Sequence, residues 1–261
     1  MSLRELFEEI RGGKAVFIAP GGNQGDWMIY LGADKLADQA GLKRRAVLYK
    51  KERHASVHVF GKHKILYLHG GGGFNSWWNW TPWLLRMLRE ANPRNRIIIG
   101  PTTVDVDRDY LDRVLDMDSK MTFFARERTT FDIMQDYCTD VRLDHDTALH
   151  LRYGDGYMQR LVGDLKPRKD FSLLVLRRDM ERDQVPSCVK MEDFKIVEDP
   201  CWHKEWAKVH MHASRIVSNR SHSAIMGAVL GKDTSIFAGS YHKNRSIYDY
   251  SLKDMGVKWL E

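Results

Sequence analysis

KAVFIAPGGNQGDWMIYLGADKLADQAG, residues 14–41, contains the passage that decides the fold. Its opening run, KAVFIAP (14–20), is apolar and β-branched, has the length of a buried strand, and halts at glycines. GGNQGD (21–26) cannot continue a strand and delivers the chain to a segment where Met28, Leu31, Leu36 and Ala40 share one helical face. Gly41 stands where that helix should stop. A strand, a glycine turn and a helix in that order make the first half of a parallel crossover unit.

The same grammar continues. RAVLYK (45–50) and KILYLHGGGG (64–73) read as strands, the second entering an apolar helix at roughly 76–91. RIIIGPTTV (96–104) reads as a strand breaking at Gly-Pro, and MTFFARERTTFDIMQ (121–135) as a strand that enters a helix at Arg126. VRLDHDTAL (141–149) is expected as a last short strand, after which residues 152–170 turn polar and rich in Gly and Lys. A second series follows: SLLVLRRD (172–179), a helix near 202–213, RIVS (215–218), a helix from 222, SIFAG (235–239) and a final helix near 243–254. The expectation is two doubly wound, Rossmann-like α/β domains facing a cleft. Residues 1–155 form the N-terminal domain, 165–240 the C-terminal domain, and 241–261 a C-terminal helix and tail. No internal repeat or low-complexity tract appears.

The totals narrow the classes. A chain of 261 residues, 43% hydrophobic and 29% charged, has the balance of a soluble globular enzyme. No apolar stretch approaches the ~20 residues that span a bilayer. MSLRELFEEIRGGK carries acidic residues and lacks an apolar leader core, so a short amphipathic helix of a cytoplasmic protein is expected. Cys138, Cys188 and Cys201 are odd in number and far apart, which suits reduced structural thiols. The net charge of +6 favours anionic partners, but the bases are scattered and form no stripe with interleaved aromatics. A localised anion site is expected, and no nucleic acid. The histidines of WHKEWAKVHMH (202–212) lack the i, i+4 pair of a helical zinc site, and neither metal nor cofactor is expected.

Ligands of open parallel sheets bind beyond the carboxyl ends of the strands. Every unusual cluster falls at such an end: GGNQGD, HGGGG, ARER, LRRD and NRSH. Arg offers a planar fork for phosphate or carboxylate, and glycine lets backbone approach an anion. Arg220 and His222 sit where RIVS hands over to a helix, and a cation there opposes the helix dipole unless an anion lies between. Asp26 heads the first helix as either a reactive carboxylate or an N-cap. LRRDMERDQ (176–184) reads as a solvated loop from which only Arg177 reaches the strand end. In NSWWNWTPWLLRML (75–88), Trp77 and Trp78 suit a sugar-stacking or membrane-resting platform, while Trp83 suits the packed face of a helix.

Taken in order, GNQGDWMI, HGGGGFNSWW, ARERTT, DHDTAL with Asp146, SNRSHSAIMGAVLGK and the Lys243 of YHKNR resemble the polysaccharide pyruvyl transferase family from about residue 14 to 250. Thr130 stands where the family usually has Ser, and Lys-Asp follows Gly231 in place of a Pro. The resemblance implies an architecture like the GT-B glycosyltransferases and a reaction between phosphoenolpyruvate and a sugar. The pyruvyl unit would end as a cyclic ketal on two hydroxyls, with phosphate released. For that chemistry Arg220 and Arg126, then Arg177, Lys243 and Ser221, are the candidates to hold phosphoenolpyruvate, with His222 as the acid and Asp26 to deprotonate or orient the acceptor hydroxyl, two roles that could be exchanged. Asn23, Gly25, Gly71, Gly72, Trp77 and Trp78 are the acceptor-binding or loop candidates. Its acceptor would be a sugar, either on a lipid-linked oligosaccharide or as a nucleotide sugar, handled in the cytoplasm at the inner face of the membrane by peripheral association. Two alternatives stand beside it: a glycosyltransferase of similar architecture that uses a nucleotide sugar, and a non-catalytic sugar- or anion-binding relative. The sequence leaves the oligomeric state open.

Overall fold

The computed structural model describes residues 1–49, 58–115, 121–199 and 203–261. Lys50, Cys201, Trp202 and the side chain of His203 lie outside the described residues. A short helix α1 (Leu3–Glu9) opens the chain, with Ser2 and Glu5 exchanging hydrogen bonds as a capping box. β1 (Lys14–Ala19) and α2 (Gln24–Gln39) follow, and Gly41 adopts φ +68°, the left-handed conformation that ends a helix. Next come β2 (Lys43–Leu48), β3 (Lys64–Leu68), β4 (Gly71–Asn75), α3 (Trp80–Ala91), β5 (Ile97–Asp105), α4 (Arg108–Val114), β6 (Met121–Ala125), α5 (Arg128–Met134) and β7 (Asp140–Leu143). These seven strands form one parallel sheet in the order β2-β1-β3-β5-β6-β7, with β4 beside the C-terminal half of β5.

The second part holds α6 (Gly156–Val162), β8 (Phe171–Arg177), β9 (Lys195–Asp199), α7 (His203–His212), β10 (Ala213–Ser218), α8 (Ser221–Val229), β11 (Asp233–Phe237) and α9 (Lys243–Ile247). From α9 the chain continues through a π-helical turn, Tyr248–Leu252, and a 3₁₀ turn, Lys253–Met255, into β12 (Lys258–Leu260). Its sheet is parallel, in the order β12-β11-β10-β8-β9. By packing, Met1–Gly22 and Gly32–His150 make one unit, and Asn23–Leu31 with Leu151–Glu261 make the other. The first two turns of α2 therefore count with the second sheet. In each sheet the first strand lies between the second and the third, so each has a switch point at the carboxyl ends of those central strands.

Alternation along β1 shows why the first sheet is covered on both faces. Val16 and Ile18 join a core with Leu66, Leu68, Ile99 and Phe123, while Ala15 and Phe17 join another with α1, α2, Tyr67 and Phe124. Two sequence expectations need correction here. The glycines of HGGGG do not simply form a loop, because Gly71 and Gly72 lie in β4, with Gly71 opposite Thr102. Nor does β5 break at Gly100-Pro101. It runs on with a register shift between Ile99 and Thr102, where a proline removes no ladder hydrogen bond. Two helices went unforeseen, α4 and α6, each begun by an aspartate cap: Asp107 accepts from Tyr110 N, and Asp155 from Met158 N, both at 2.6 Å. No described helix is long and apolar enough to cross a membrane.

Among the described residues, each unit also buries a histidine deeply, His69 in the first and His210 in the second. Burial depresses His69 from the ordinary 6.5 to about 3 and His210 to about 4. His210 Nδ1 is 2.7 Å from the Trp206 carbonyl oxygen, which fixes the neutral tautomer with Nδ1–H donating. Below pH 6.5 the unfolded chain protonates these side chains and the folded chain does not. Stability that is complete above pH 6.5 is therefore lost as pH falls toward the folded values, by up to ~1.4 kcal/mol per pH unit for each histidine. Melting followed by circular dichroism from pH 7 to 4.5 should show this decline, and His210→Gln should flatten it in the second unit. An unchanged slope in that variant would remove His210 as a cause.

Candidate active site

At the switch point of the second sheet, β8 ends at Arg177 and β10 ends at Ser218, side by side. The Arg177 backbone N–H donates to Asn219 Oδ1 at 2.8 Å. Ser218 Oγ donates to the Val175 carbonyl and accepts from Arg220 N, each at 2.8 Å. Asn244, at the start of α9, donates to the carbonyls of Asn219 (2.8 Å) and Phe237 (2.9 Å) and accepts from Ser221 Oγ at 2.7 Å. Asn219 and Asn244 are both buried, so these bonds hold the turn between β10 and α8 in one shape.

Three cations converge on that turn. Arg177 clasps Asp179 with Nε and one terminal nitrogen at 2.8 and 2.7 Å and reaches Glu181 Oε2 at 2.6 Å with the other. Lys243 Nζ bonds the same Glu181 oxygen and lies 4.8 Å above the Tyr241 ring. Burial disfavours the charge of Glu181, but Lys243 and Arg177 more than offset it and hold the carboxyl below its ordinary range. Asp179 is lowered in the same way, its partial burial outweighed by Arg177 and the field of Arg220. Arg220, 6% exposed, occupies the N-cap position of α8 and makes no side-chain cap bond. The group therefore sets Arg177, Lys243 and Arg220 around Asp179 and Glu181, beside the positive end of the α8 dipole.

His222 is the second residue of α8 and is half-buried. A Cβ placed on Gly25 would lie 2.5–2.6 Å from His222 Cβ, Nδ1 and Cγ. The first turn of α2 thus passes the imidazole so closely that only glycine fits. That turn caps itself through side chains. Asn23 Oδ1 accepts from Gly25 N at 2.9 Å, and Asp26 Oδ2 accepts from Asn23 N at 2.7 Å. The N-cap role considered for Asp26 therefore belongs to Asn23, with Asp26 one turn in and returning the bond. His222, Gly25 and Asp26 are all in the second unit.

The remaining sequence candidates lie in the first unit. Arg126 donates from Nε to Thr103 Oγ1 and from a terminal nitrogen to Asp146 Oδ2, each at 2.8 Å, with Arg126 and Asp146 both 1% exposed. Glu127 caps α5 through Thr130 N, and Thr130 Oγ1 accepts from Val104 N at 2.9 Å. ARERTT therefore knits β6, α5 and β5 together. Asn75 Oδ1 accepts from Trp77 N and Trp78 N, and Asn75 Nδ2 donates to the Gly72 carbonyl at 3.0 Å. Trp78 is 43% exposed and Trp77 half-buried. Trp83 is only partly buried against the core and stacks on Trp80 at 4.5 Å.

Sequence reasoning missed Asp179, Glu181, Asn219 and Asn244. The two asparagines stood next to chosen residues, Asn219 before Arg220 and Asn244 after Lys243, and their adjacency was the available signal. Glu181 lies in the charge run read as a solvated loop, yet it is buried.

A family model described as polysaccharide pyruvyl transferase matches residues 2–198. That match covers the GNQGD, HGGGG, ARER and DHDTAL segments and ends before the β10–α8 turn. No curated protein matches the chain. Among solved structures, a functionally uncharacterized protein from Klebsiella pneumoniae subsp. pneumoniae superposes with a TM-score of 0.69 at 19% identity. The alignment covers 99% of this chain and 96% of that one, and at this identity the likeness carries the fold.

Proposed function

We propose that this chain, which belongs to the polysaccharide pyruvyl transferase family, moves the enolpyruvyl unit of phosphoenolpyruvate onto a sugar of a surface polysaccharide precursor. The observation that carries the donor assignment is the pairing of Arg220 and His222 around the first turn of α8, at the switch point of a parallel sheet. Phosphoenolpyruvate packs a phosphate and a carboxylate into a few ångströms. It suits a site that gathers arginines at a helix N-terminus.

In this reading the enol methylene takes a proton and becomes a methyl group, which makes the neighbouring carbon electrophilic. One sugar hydroxyl adds to that carbon and loses its proton. Phosphate then leaves with a proton, and a second hydroxyl closes the ketal ring. His222 supplies the proton to the methylene or to the departing phosphate. Asp26, fixed through Oδ2, receives or orients the hydroxyl proton. Arg220 grips the donor. Arg177 and Lys243, which hold Asp179 and Glu181, are the further cations of the donor site. Ser221 positions Asn244. Asn23, Gly25, Gly71, Gly72, Trp77 and Trp78 remain the candidates for binding the acceptor. A fold of the GT-B glycosyltransferase kind belongs to this reading, as does a cytoplasmic location, at the inner face of the membrane where the acceptor is lipid-linked.

Calorimetric titration with phosphoenolpyruvate, beside UDP, tests the donor class. Phosphoenolpyruvate should bind saturably, and Arg220→Ala should weaken it at least tenfold. Charge-assisted hydrogen bonds contribute ~1.5–3 kcal/mol each, and 1.4 kcal/mol is about tenfold in affinity. Binding of UDP with none of phosphoenolpyruvate would transfer the chain to nucleotide-sugar chemistry.

A further inference from the structure

Beside α3 and α4 the first unit carries a cavity of about 460 Å³, within the ~300–1,000 Å³ range of small-ligand sites. It is lined by Trp80, Trp83, Arg86, Tyr110, Arg113 and Val114. Trp80 and Trp83 stack with ring centroids 4.5 Å apart and an interplanar angle of 17°, and each is only partly buried. Trp80 is anchored by Nε1, which donates to the Pro20 carbonyl at 2.5 Å, so the pair is held in place before any ligand arrives. Among the described residues Arg86 pairs with Glu90 in an exposed i, i+4 contact at 2.7 Å, a kind worth ~0–1 kcal/mol that an incoming anion can displace. Arg113 is exposed on α4, at the other side of the groove.

We infer that this groove binds an oligosaccharide bearing a negative group, a carboxylate or a phosphate. The C–H faces of sugar rings pack on flat aromatic surfaces, which the tryptophan pair and Tyr110 provide. Two arginines at the rim supply the planar forks that pair with carboxylate or phosphate. A purely apolar partner would make no use of the arginines beside the tryptophans, and a polyanion track would need more than two cations and no stacked pair. Binding by itself stands independently of the transferase proposal. That the bound glycan is the acceptor, and that acceptors are therefore acidic, rests on that proposal.

The test is a glycan array carrying uronate-bearing, phosphate-bearing and neutral oligosaccharides, probed with the purified full chain, with hits titrated by calorimetry. Acidic glycans should be retained at least tenfold more tightly than neutral ones of equal length, and the two acidic sets distinguish carboxylate from phosphate. Trp83→Ala should abolish the signal. Because Trp83 also packs on the core, Arg113→Ser serves as the variant that leaves the fold alone, and it should lose about tenfold on acidic glycans and nothing on neutral ones. No retained glycan, equal retention of neutral ones, or wild-type binding by Arg113→Ser would overturn the inference. Phosphoenolpyruvate affinity measured on the same samples separates the two ideas. Glycan binding without donor binding would sink the transferase proposal alone, and the converse would sink this one alone.

Discussion

His222→Gln is expected to lower turnover by ~10²–10⁴-fold, the range that a positioned acid or base contributes. Phosphoenolpyruvate affinity should stay within about threefold, because Arg220 and the α8 N-terminus remain. Glutamine keeps a polar side chain at the position and cannot shuttle a proton. Phosphate release followed continuously in the presence of acceptor gives the rate, and calorimetry gives the affinity. A fully active variant would end the assignment. Gly25→Ala is the companion, since its new methyl group would lie 2.5–2.6 Å from the root and Nδ1 of the imidazole. The backbone of α2 or the ring must then move, and the expected signature is a loss of turnover larger than the loss of donor affinity. If alanine at position 25 costs donor affinity and leaves turnover intact, His222 is a binding group and the acid lies elsewhere.

The alternation of strands and helices was legible because its signals are local. An apolar β-branched run, glycines, then a 3.6-residue period can be read without knowing what packs where. KAVFIAP, KILYL, MTFFA and RIVS all became strands for that reason. What stayed hidden depended on partners distant in sequence. The glycines after β3 became a strand because β5 passes alongside and offers Thr102 and Val104 as partners. Pro101 was read as a stop, although a strand carrying a register shift accommodates it. β9 and β12 are edge strands with little apolar signal of their own. Glu181 shows the same limit at the site. A glutamate in a run of charges reads as solvated, because charge is rarely buried unpaired. Its burial depends on Lys243, 62 residues further along, which no local pattern announces. Arg220 and His222 stand out in the sequence because they contradict a local rule: a cation and an imidazole at a helix start, where Ser, Asp or Asn would satisfy the backbone better.

Asp146→Ala should destabilise the first unit by ~3–5 kcal/mol, because it leaves the Arg126 guanidinium charged and almost wholly enclosed. Against a total stability of ~5–15 kcal/mol that is a large share, and at ~2–4 °C per kcal/mol the melting transition should fall by roughly 10 °C. Asp146 Oδ1 also accepts from Ala148 N, so part of the loss comes from the 3₁₀ turn Thr147–His150 rather than from the ion pair. The double variant Arg126→Met/Asp146→Leu separates the two, since replacing a buried pair by apolar groups of similar volume is often close to neutral. If the double variant melts well above Asp146→Ala, the pair is a matched unit of the framework. Its donor affinity then decides the standing of Arg126. Unchanged phosphoenolpyruvate binding would make Arg126 a strut that holds β6 against the turn after β7. A loss comparable to that of Arg220→Ala would mean that Arg126 leaves Asp146 when the donor arrives, with the carboxylate acting as a placeholder for the substrate.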